Sequence, residues 1–275
     1  MNQLVRIGLI SYTHNDPLFY FFMERGYDDV KVVRAAPKDL VELLLSGDVD
    51  IAQVSLSRLS QHEDLAVVQA CAVHSAGPSL SAFVGSNTEE DLKDYDSISI
   101  SAETETSSRM LKWILKKKGL RNNLRQGSSS SADDLLRESG FALLIGDEAL
   151  QAEINGIKVV LDIGHEWFRL TGKPAIFAAS AVKKPFTKEM GKVIADGIRM
   201  IRDAVRYGEE NLEKIVTQSS KDRGIQPEYL RRYFKTLLLN YNMELEDGMK
   251  YEIAEISDLS ERVELKFLDN SLVRE

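Results

Sequence analysis

Short apolar runs alternate with amphipathic stretches through the first two-thirds of the chain, and few folds accommodate that alternation. Leu4 to Ile10, Val30 to Val33, Val49 to Val54, Ala66 to Val73 and Leu80 to Val84 read as buried strands. Helices are predicted between them, one over Pro17 to Arg25 and one opened by Pro37. The second has Leu40, Val41, Leu44 and Leu45 at helical spacing and a stop at Gly47. After a polar crossing over Ser86 to Asp94 a second set begins. It comprises strand Ser97 to Ile100, helix Thr106 to Lys118, a serine run Ser128 to Ser131 that caps helix Ala132 to Glu138, and strands Ala142 to Ile145, Lys158 to Asp162 and Ala175 to Ala179. Such alternation predicts βαβ units around mostly parallel sheets, an α/β fold.

Beyond Lys184-Pro185 the strands stop. Thr187 to Tyr207, Glu209 to Ser219, Pro227 to Leu239 and Glu246 to Arg262 read as successive helices. Two α/β sets and a helical tail predict two lobes. Residues 1–85 with 181–275 form the first, and residues 86–180 are inserted as the second. Ligands of open α/β sheets sit at strand ends, so an interlobe cleft is the expected binding place.

A net charge of -8 argues against a nucleic-acid partner. No stretch reaches the ~18 apolar residues of a membrane span. The opening residues lack the charged region, apolar core and cleavage site of a secretory signal, so a cytoplasmic protein is expected. The single cysteine, Cys71, lies in an apolar run and reads as a buried, inert thiol. Oligomeric state is not specified.

No GxGxxG, Walker, GxSxG or HExxH motif is present, and His14, His62, His74 and His165 have no metal-ligand spacing; neither metal nor cofactor is expected. Polar loops at strand ends are left to build a site. In Tyr12-Thr13-His14-Asn15-Asp16-Pro17, Asp16 fits an N-cap or a functional role, while His14 and Asn15 are free to reach the cleft. In His74-Ser75-Ala76-Gly77-Pro78-Ser79, the hydroxyls of Ser75 and Ser79 either donate to an anion or satisfy local backbone. Ser101 to Ser108 precedes a helix whose N-terminus, with Thr106 and Ser107, suits a carboxylate, although Glu103 and Glu105 would repel one. Asp147, in Gly146-Asp147-Glu148, is a cap or a ligand contact. The expected guest is a small carboxylate.

Taken in order, several segments resemble the menaquinone-biosynthesis enzymes of the futalosine pathway, on the side of the chorismate dehydratase branch. They are Ile10-Ser11-Tyr12 with Pro17-Leu18, Gly47 to Ala52, Ser75-Ala76-Gly77-Pro78, Thr106-Ser107, Gly146 to Leu150, Asp162 to Trp167 and Thr171 to Pro174. The resemblance implies the periplasmic-binding-protein type II fold used as an enzyme. It also implies dehydration of chorismate to 3-[(1-carboxyvinyl)oxy]benzoate without metal or organic cofactor. His14 stands where the family has an asparagine, with Asn15 one position later, and Glu105 stands where relatives carry a basic residue. On that footing His14, Asn15 and Ser75 are expected near the reacting ring, and Ser79, Ser101, Thr106, Ser107 and Asp147 around the substrate. If His14 is base or donor, it is expected to titrate near neutral pH. Two other readings stay open: a binding protein that closes on an organic acid without transforming it, and the sister-branch synthesis of 1,4-dihydroxy-6-naphthoate.

Overall fold

The structure is a computed structural model that describes residues 4–257 and 264–268. The chain folds into two α/β lobes, each on a five-stranded mixed sheet. The first sheet holds β1 (Val5–Ile10), β2 (Val30–Ala35), β3 (Ile51–Ser55), β4 (Leu65–Ser75) and, from far downstream, β10 (Ala175–Lys183), in the order β2-β1-β3-β10-β4. The second holds β5 (Ala82–Ser86), β6 (Ser97–Ile100), β7 (Asn123–Gln126), β8 (Phe141–Ile145) and β9 (Lys158–Asp162), in the order β7-β6-β8-β5-β9. The expectation of mostly parallel sheets needs one correction. β10 runs antiparallel to both its neighbours, and so does β5. These two strands directly follow the crossings between lobes, and each enters its new sheet reversed.

The helices follow their sequence signals closely in the first lobe. α1 (Asp16–Arg25) ends at Gly26 in the left-handed conformation, and α2 (Pro37–Ser46) buries Leu40, Val41 and Leu44 before Gly47 ends it in the same way. One turn of helix, α3 (Leu56–Leu59), follows β3 directly. In the second lobe α4 (Glu105–Lys117) buries Met110, Leu111, Trp113, Ile114 and Leu115 on one face, and Lys116 and Lys117 lie in its last turn. α5 (Ala132–Ser139), α6 (Gly146–Ile154) and α7 (Ile163–Thr171) complete that lobe.

The tail comprises α8 (Lys188–Glu210), α9 (Leu212–Arg223), α10 (Pro227–Thr236) and α11 (Glu244–Ile256). Residues 258–262, the far end of the last expected helix, lie outside the described residues. The predicted helix to Leu239 stops at Thr236, because the next residues pair with a strand. His74 and Leu238 exchange backbone hydrogen bonds of 3.0 and 2.8 Å, and the Val67 amide and carbonyl bond Lys266 and Leu268. β4 is therefore an edge strand with a covered edge, which is why it reads as a continuous apolar run. The tail also reaches the second lobe, where Tyr229 on α10 donates to Glu153 on α6 and Glu255 on α11 accepts from the Trp113 indole at 2.7 Å. Among the described residues no helix is long and apolar enough to cross a membrane.

Candidate functional site

Between the lobes lies a hollow of about 80 Å³. The first lobe supplies Ile10, Tyr12, His14, Ser55, Val73 and Phe177; the second supplies Glu103, Thr104, Thr106, Ser107, Ile145 and Gly146; Leu237 closes it from the tail. A second hollow of about 250 Å³ adjoins it, sharing Tyr12, Glu103 and Ile145 and adding Ser11, Ser101, Asp147 and Glu148. Among the described residues no three His, Cys, Asp or Glu side chains are grouped to hold a metal ion.

The loop after β1 turns through a short 3₁₀ segment, Thr13–Asn15, that drops His14 onto the hollow. His14 is buried, and its Nε2 lies 3.0 Å from Asn15 Nδ2. An amide nitrogen only donates, so Nε2 accepts and the ring proton sits on Nδ1. Burial, and then the positive charges of Arg223 and Arg34, lower the His14 pKa to about 3. The expected titration near neutrality is thus corrected: the ring stays neutral where the sequence alone suggested a switch.

Asn15 does not face the hollow. It is fully buried, its Nδ2 shares two hydrogens among Ile10 O at 2.8 Å, Gln53 Oε1 at 2.6 Å and His14 Nε2, and its Oδ1 accepts from Gln53 Nε2 at 2.8 Å. This amide pair fastens the loop to β3. Asp16 is not the N-cap either: Asn15 occupies that position, and the Asp16 carboxylate accepts from Ser219 and Arg223 in the tail.

Ser75 and Ser79 belong to the lobe crossing. Ser75 Oγ donates to Gly77 O at 3.1 Å, and Ser79 bonds Asp162 through both its amide and its hydroxyl. Asp162 also accepts from Leu80 N and, as N-cap of α7, from His165 N. One carboxylate thereby ties the outgoing connection to the start of α7 in the second lobe. These two serines satisfy local backbone, the second of the alternatives left open above.

Thr106 and Ser107, on the first turn of α4, line the hollow. Thr106 Oγ1 accepts from Ser57 N at 3.0 Å across the cleft, whereas Ser107 Oγ has no protein partner among the described residues. First-turn amides have no carbonyl partner within their helix, so α4 directs donors and its positive dipole end at the space. α6 starts on the same wall. Its first residue, Gly146, has φ of 60°, and a Cβ there would lie 2.7 Å from the Tyr12 ring. Glycine permits both the turn and the approach of the opposite lobe.

Ser101 lines the adjoining hollow, where its carbonyl accepts from the amide and hydroxyl of Thr104. Asp147 lines that hollow too but is taken up by protein, accepting from Thr13 N at 2.8 Å and Arg223 Nη1 at 3.0 Å. Glu105, expected to repel an anion, turns away to Arg58 at 2.6 Å and Gln61. Glu103 does face the space, and its Oε2 accepts from the Tyr12 hydroxyl at 2.9 Å.

Sequence reasoning missed Tyr12, Gln53 and Arg223. Gln53 had a signal, a polar residue inside the apolar strand Ile51-Ala52-Gln53-Val54, where a buried amide implies a network. Arg223 had none, since only the tail's return brings it to the cleft.

Comparison with known proteins identifies the architecture and the lineage. A protein from Archaeoglobus fulgidus superposes with a TM-score of 0.70 at 16% identity, covering 91% of this chain and 96% of that one. The alkanesulfonate-binding protein SsuA from Xanthomonas axonopodis pv. citri, bound to MOPS, gives 0.69 at 14% identity, with 96% of each chain covered. A Candida albicans gene product with the generic periplasmic binding protein fold gives 0.66 at 14% identity, with 97% of each chain covered. These likenesses establish the periplasmic-binding-protein fold. A chorismate dehydratase from Thermus thermophilus is 28% identical over 262 residues, 88% of this chain and 89% of the relative. The sequence model of the family "Menaquinone biosynthesis" matches residues 5–254, and the chain belongs to that family.

Proposed function

We propose that this chain is a carbon–oxygen lyase that dehydrates chorismate to 3-[(1-carboxyvinyl)oxy]benzoate. The observation that carries the reading is the interlobe hollow itself. It is closed by bonds that run directly from lobe to lobe, has the N-terminus of α4 on one wall and holds a neutral His14 on the other. The similarity to a chorismate dehydratase points to the same chemistry.

The reaction removes the C3 hydrogen of the ring as a proton and the C4 hydroxyl as water, leaving an aromatic ring, so aromatisation supplies the driving force. The protein has to hold a dicarboxylate, exclude bulk water and stabilise the departing oxygen. In this reading the first-turn amides of α4 and Ser107 Oγ, which line the hollow, receive a substrate carboxylate. The Nδ1–H of His14 is a neutral donor for the leaving oxygen, the use to which a pKa held this low is suited.

Purified protein incubated with chorismate tests the reading, with substrate followed by absorbance and product by mass. Substrate loss with formation of the enolpyruvyl benzoate is expected. Binding without turnover defeats the lyase reading and leaves a cytoplasmic organic-acid binding protein. The adjoining hollow of about 250 Å³ favours one further reading, the sister-branch 1,4-dihydroxy-6-naphthoate synthase with a larger nucleoside-derived substrate. Turnover of that substrate in place of chorismate would select it.

A further inference from the structure

We propose that Glu103 is the group that takes the ring proton and returns it to the departing hydroxyl, with Tyr12 positioning its carboxylate from the opposite lobe. The inference rests on the chorismate reading above and adds the acid–base group to it.

Two side chains that line the main hollow have the chemistry to accept a proton, His14 and Glu103. His14 is disqualified by geometry. Its Nε2 lone pair faces the Asn15 amide at 3.0 Å, and its other nitrogen carries the hydrogen. Arg223 and Arg34 further oppose any positive charge on the ring. Glu103 differs on each count. Its Oε2 accepts from Tyr12, and Oε1 has no protein partner among the described residues. No cation lies within ion-pair distance of Glu103 among the described residues, whereas Glu105, two residues on, is paired with both Arg58 and Arg109. Glu103 is half-buried at the edge of the hollow, so its free oxygen is open to a bound substrate, as a proton acceptor must be.

The substrate's stereochemistry fits a single base. The ether oxygen at C3 and the hydroxyl at C4 of chorismate are trans, so the C3 hydrogen and the C4 hydroxyl share a face of the ring. One carboxylate on that face takes the C3 proton, leaving its electron pair delocalised through C2 and C1 onto the ring carboxylate. It then delivers the same proton to the oxygen as that pair forms the C3–C4 π bond and the C4–O bond breaks. Water leaves, Glu103 returns to its ionised form, and no external acid or base is consumed.

Tyr12 acts as the positioning residue. Burial, then the Glu103 charge, raise its pKa, so its hydroxyl keeps its proton and remains a donor. Tyr12 follows β1 in the first lobe, and Glu103 lies in the β6–α4 connection of the second. Their hydrogen bond exists only when the lobes meet, which assembles the base at closure and not before.

Steady-state kinetics on chorismate with the full chain test this. Glu103→Gln keeps an acceptor for Tyr12 and is expected to lose about 10²–10⁴-fold in kcat, with KM within a few-fold of wild type. Added formate is expected to restore part of the activity of Glu103→Ala by occupying the vacated carboxylate position. Tyr12→Phe is expected to lose about tenfold in kcat while Glu103 remains essential. Far-ultraviolet circular dichroism and melting confirm that each variant is folded. An active wild type with an equally active Glu103→Gln, or a Glu103→Ala enzyme that formate leaves inactive, overturns the assignment of Glu103 and spares the lyase reading. A wild type that leaves chorismate intact defeats both.

Discussion

Arg223, the last residue of α9, donates from Nη1 to the Asp147 carboxylate on α6 at 3.0 Å, so the C-terminal tail grips the second lobe across the mouth of the cleft. The same guanidinium holds Asp16 of the first lobe through Nη2 at 2.6 Å and Nε at 3.1 Å. The two halves of this bridge differ in burial. The Asp16 side chain is 1% exposed and that of Asp147 is 36% exposed.

Removing each half should therefore do different things. Asp147→Asn keeps an acceptor for Thr13 N and loses an ion pair open to solvent, so unfolding free energy should change by less than about 1 kcal/mol. Closure should weaken instead, giving a larger radius of gyration in solution scattering and a higher KM. Arg223→Gln strands the Asp16 carboxylate with Ser219 and an Arg34 contact of 3.5 Å, which should cost about 3–5 kcal/mol in urea unfolding. Equal losses of stability in the two variants would contradict this division.

His14 should make the protein acid-sensitive. Its folded pKa of about 3 lies below the ordinary 6.5, so between those values the unfolded chain binds a proton that the folded chain refuses. Stability from this group is complete above pH 6.5 and falls by about 1.4 kcal/mol per pH unit as pH drops toward 3. Urea midpoints of wild type and His14→Asn across that window should converge toward low pH. The imidazole NMR shifts should remain those of the neutral ring at pH 5.5. The turnover rate should show no His14 limb between about pH 5.5 and 8.

The legibility of this protein in its sequence follows interaction range. Strands such as Lys158 to Asp162 and helices such as that opened by Pro37 declare themselves locally, through β-branched runs, a proline at the start and a glycine at the stop. The polar edge strand Asn123–Gln126 has no such signal, because its outward residues pack against nothing. At the site, helix-start hydroxyls such as Thr106 were visible as donors, but which of them face the hollow depends on distant partners. Asn15 spends its amide on Gln53, 38 residues away, and Asp147 meets Arg223 only after the tail has crossed back. Tyr12 and Glu103, 91 residues apart, meet only because two lobes close.

Glu252 on α11 should oppose stability at alkaline pH. It is fully buried, Oε2 accepts from Ile176 N at 2.9 Å and Oε1 has no partner, so burial raises its pKa well above the usual carboxylate value of 4.5. The folded chain keeps a proton that the unfolded chain releases above about pH 4.5, and stability falls as pH rises from there. Glu252→Gln still offers an oxygen to Ile176 N and has no proton to lose. It should gain about 1–3 kcal/mol over wild type at pH 8 and nothing near pH 4, as read from thermal melts at both values.

Gly164, the second residue of α7, should prove to be a hinge element. A Cβ built there would lie 2.4 Å from Ser75 Oγ and 2.7 Å from Gly77 O, so the outgoing connection between the lobes passes in contact with the start of α7 at this point. The serine hydroxyl can rotate away, but the Gly77 carbonyl is backbone and can move only with its strand. That strand connection is anchored close by, where Ser79 N and Leu80 N both donate to Asp162, with Leu80 in the left-handed region at φ 62°. Gly164→Ala must therefore displace the outgoing connection relative to α7, at a cost of about 1–3 kcal/mol in stability. Displacement at the pivot is magnified at the cleft mouth, where Tyr12 must still reach Glu103 and Thr106 must reach Ser57 N. Ligand affinity should fall more than tenfold, beyond what an equally destabilising core substitution such as Leu161→Val produces, and calorimetric titration of both variants distinguishes the two cases. Matched affinities would mean that the lobes close on some other pivot.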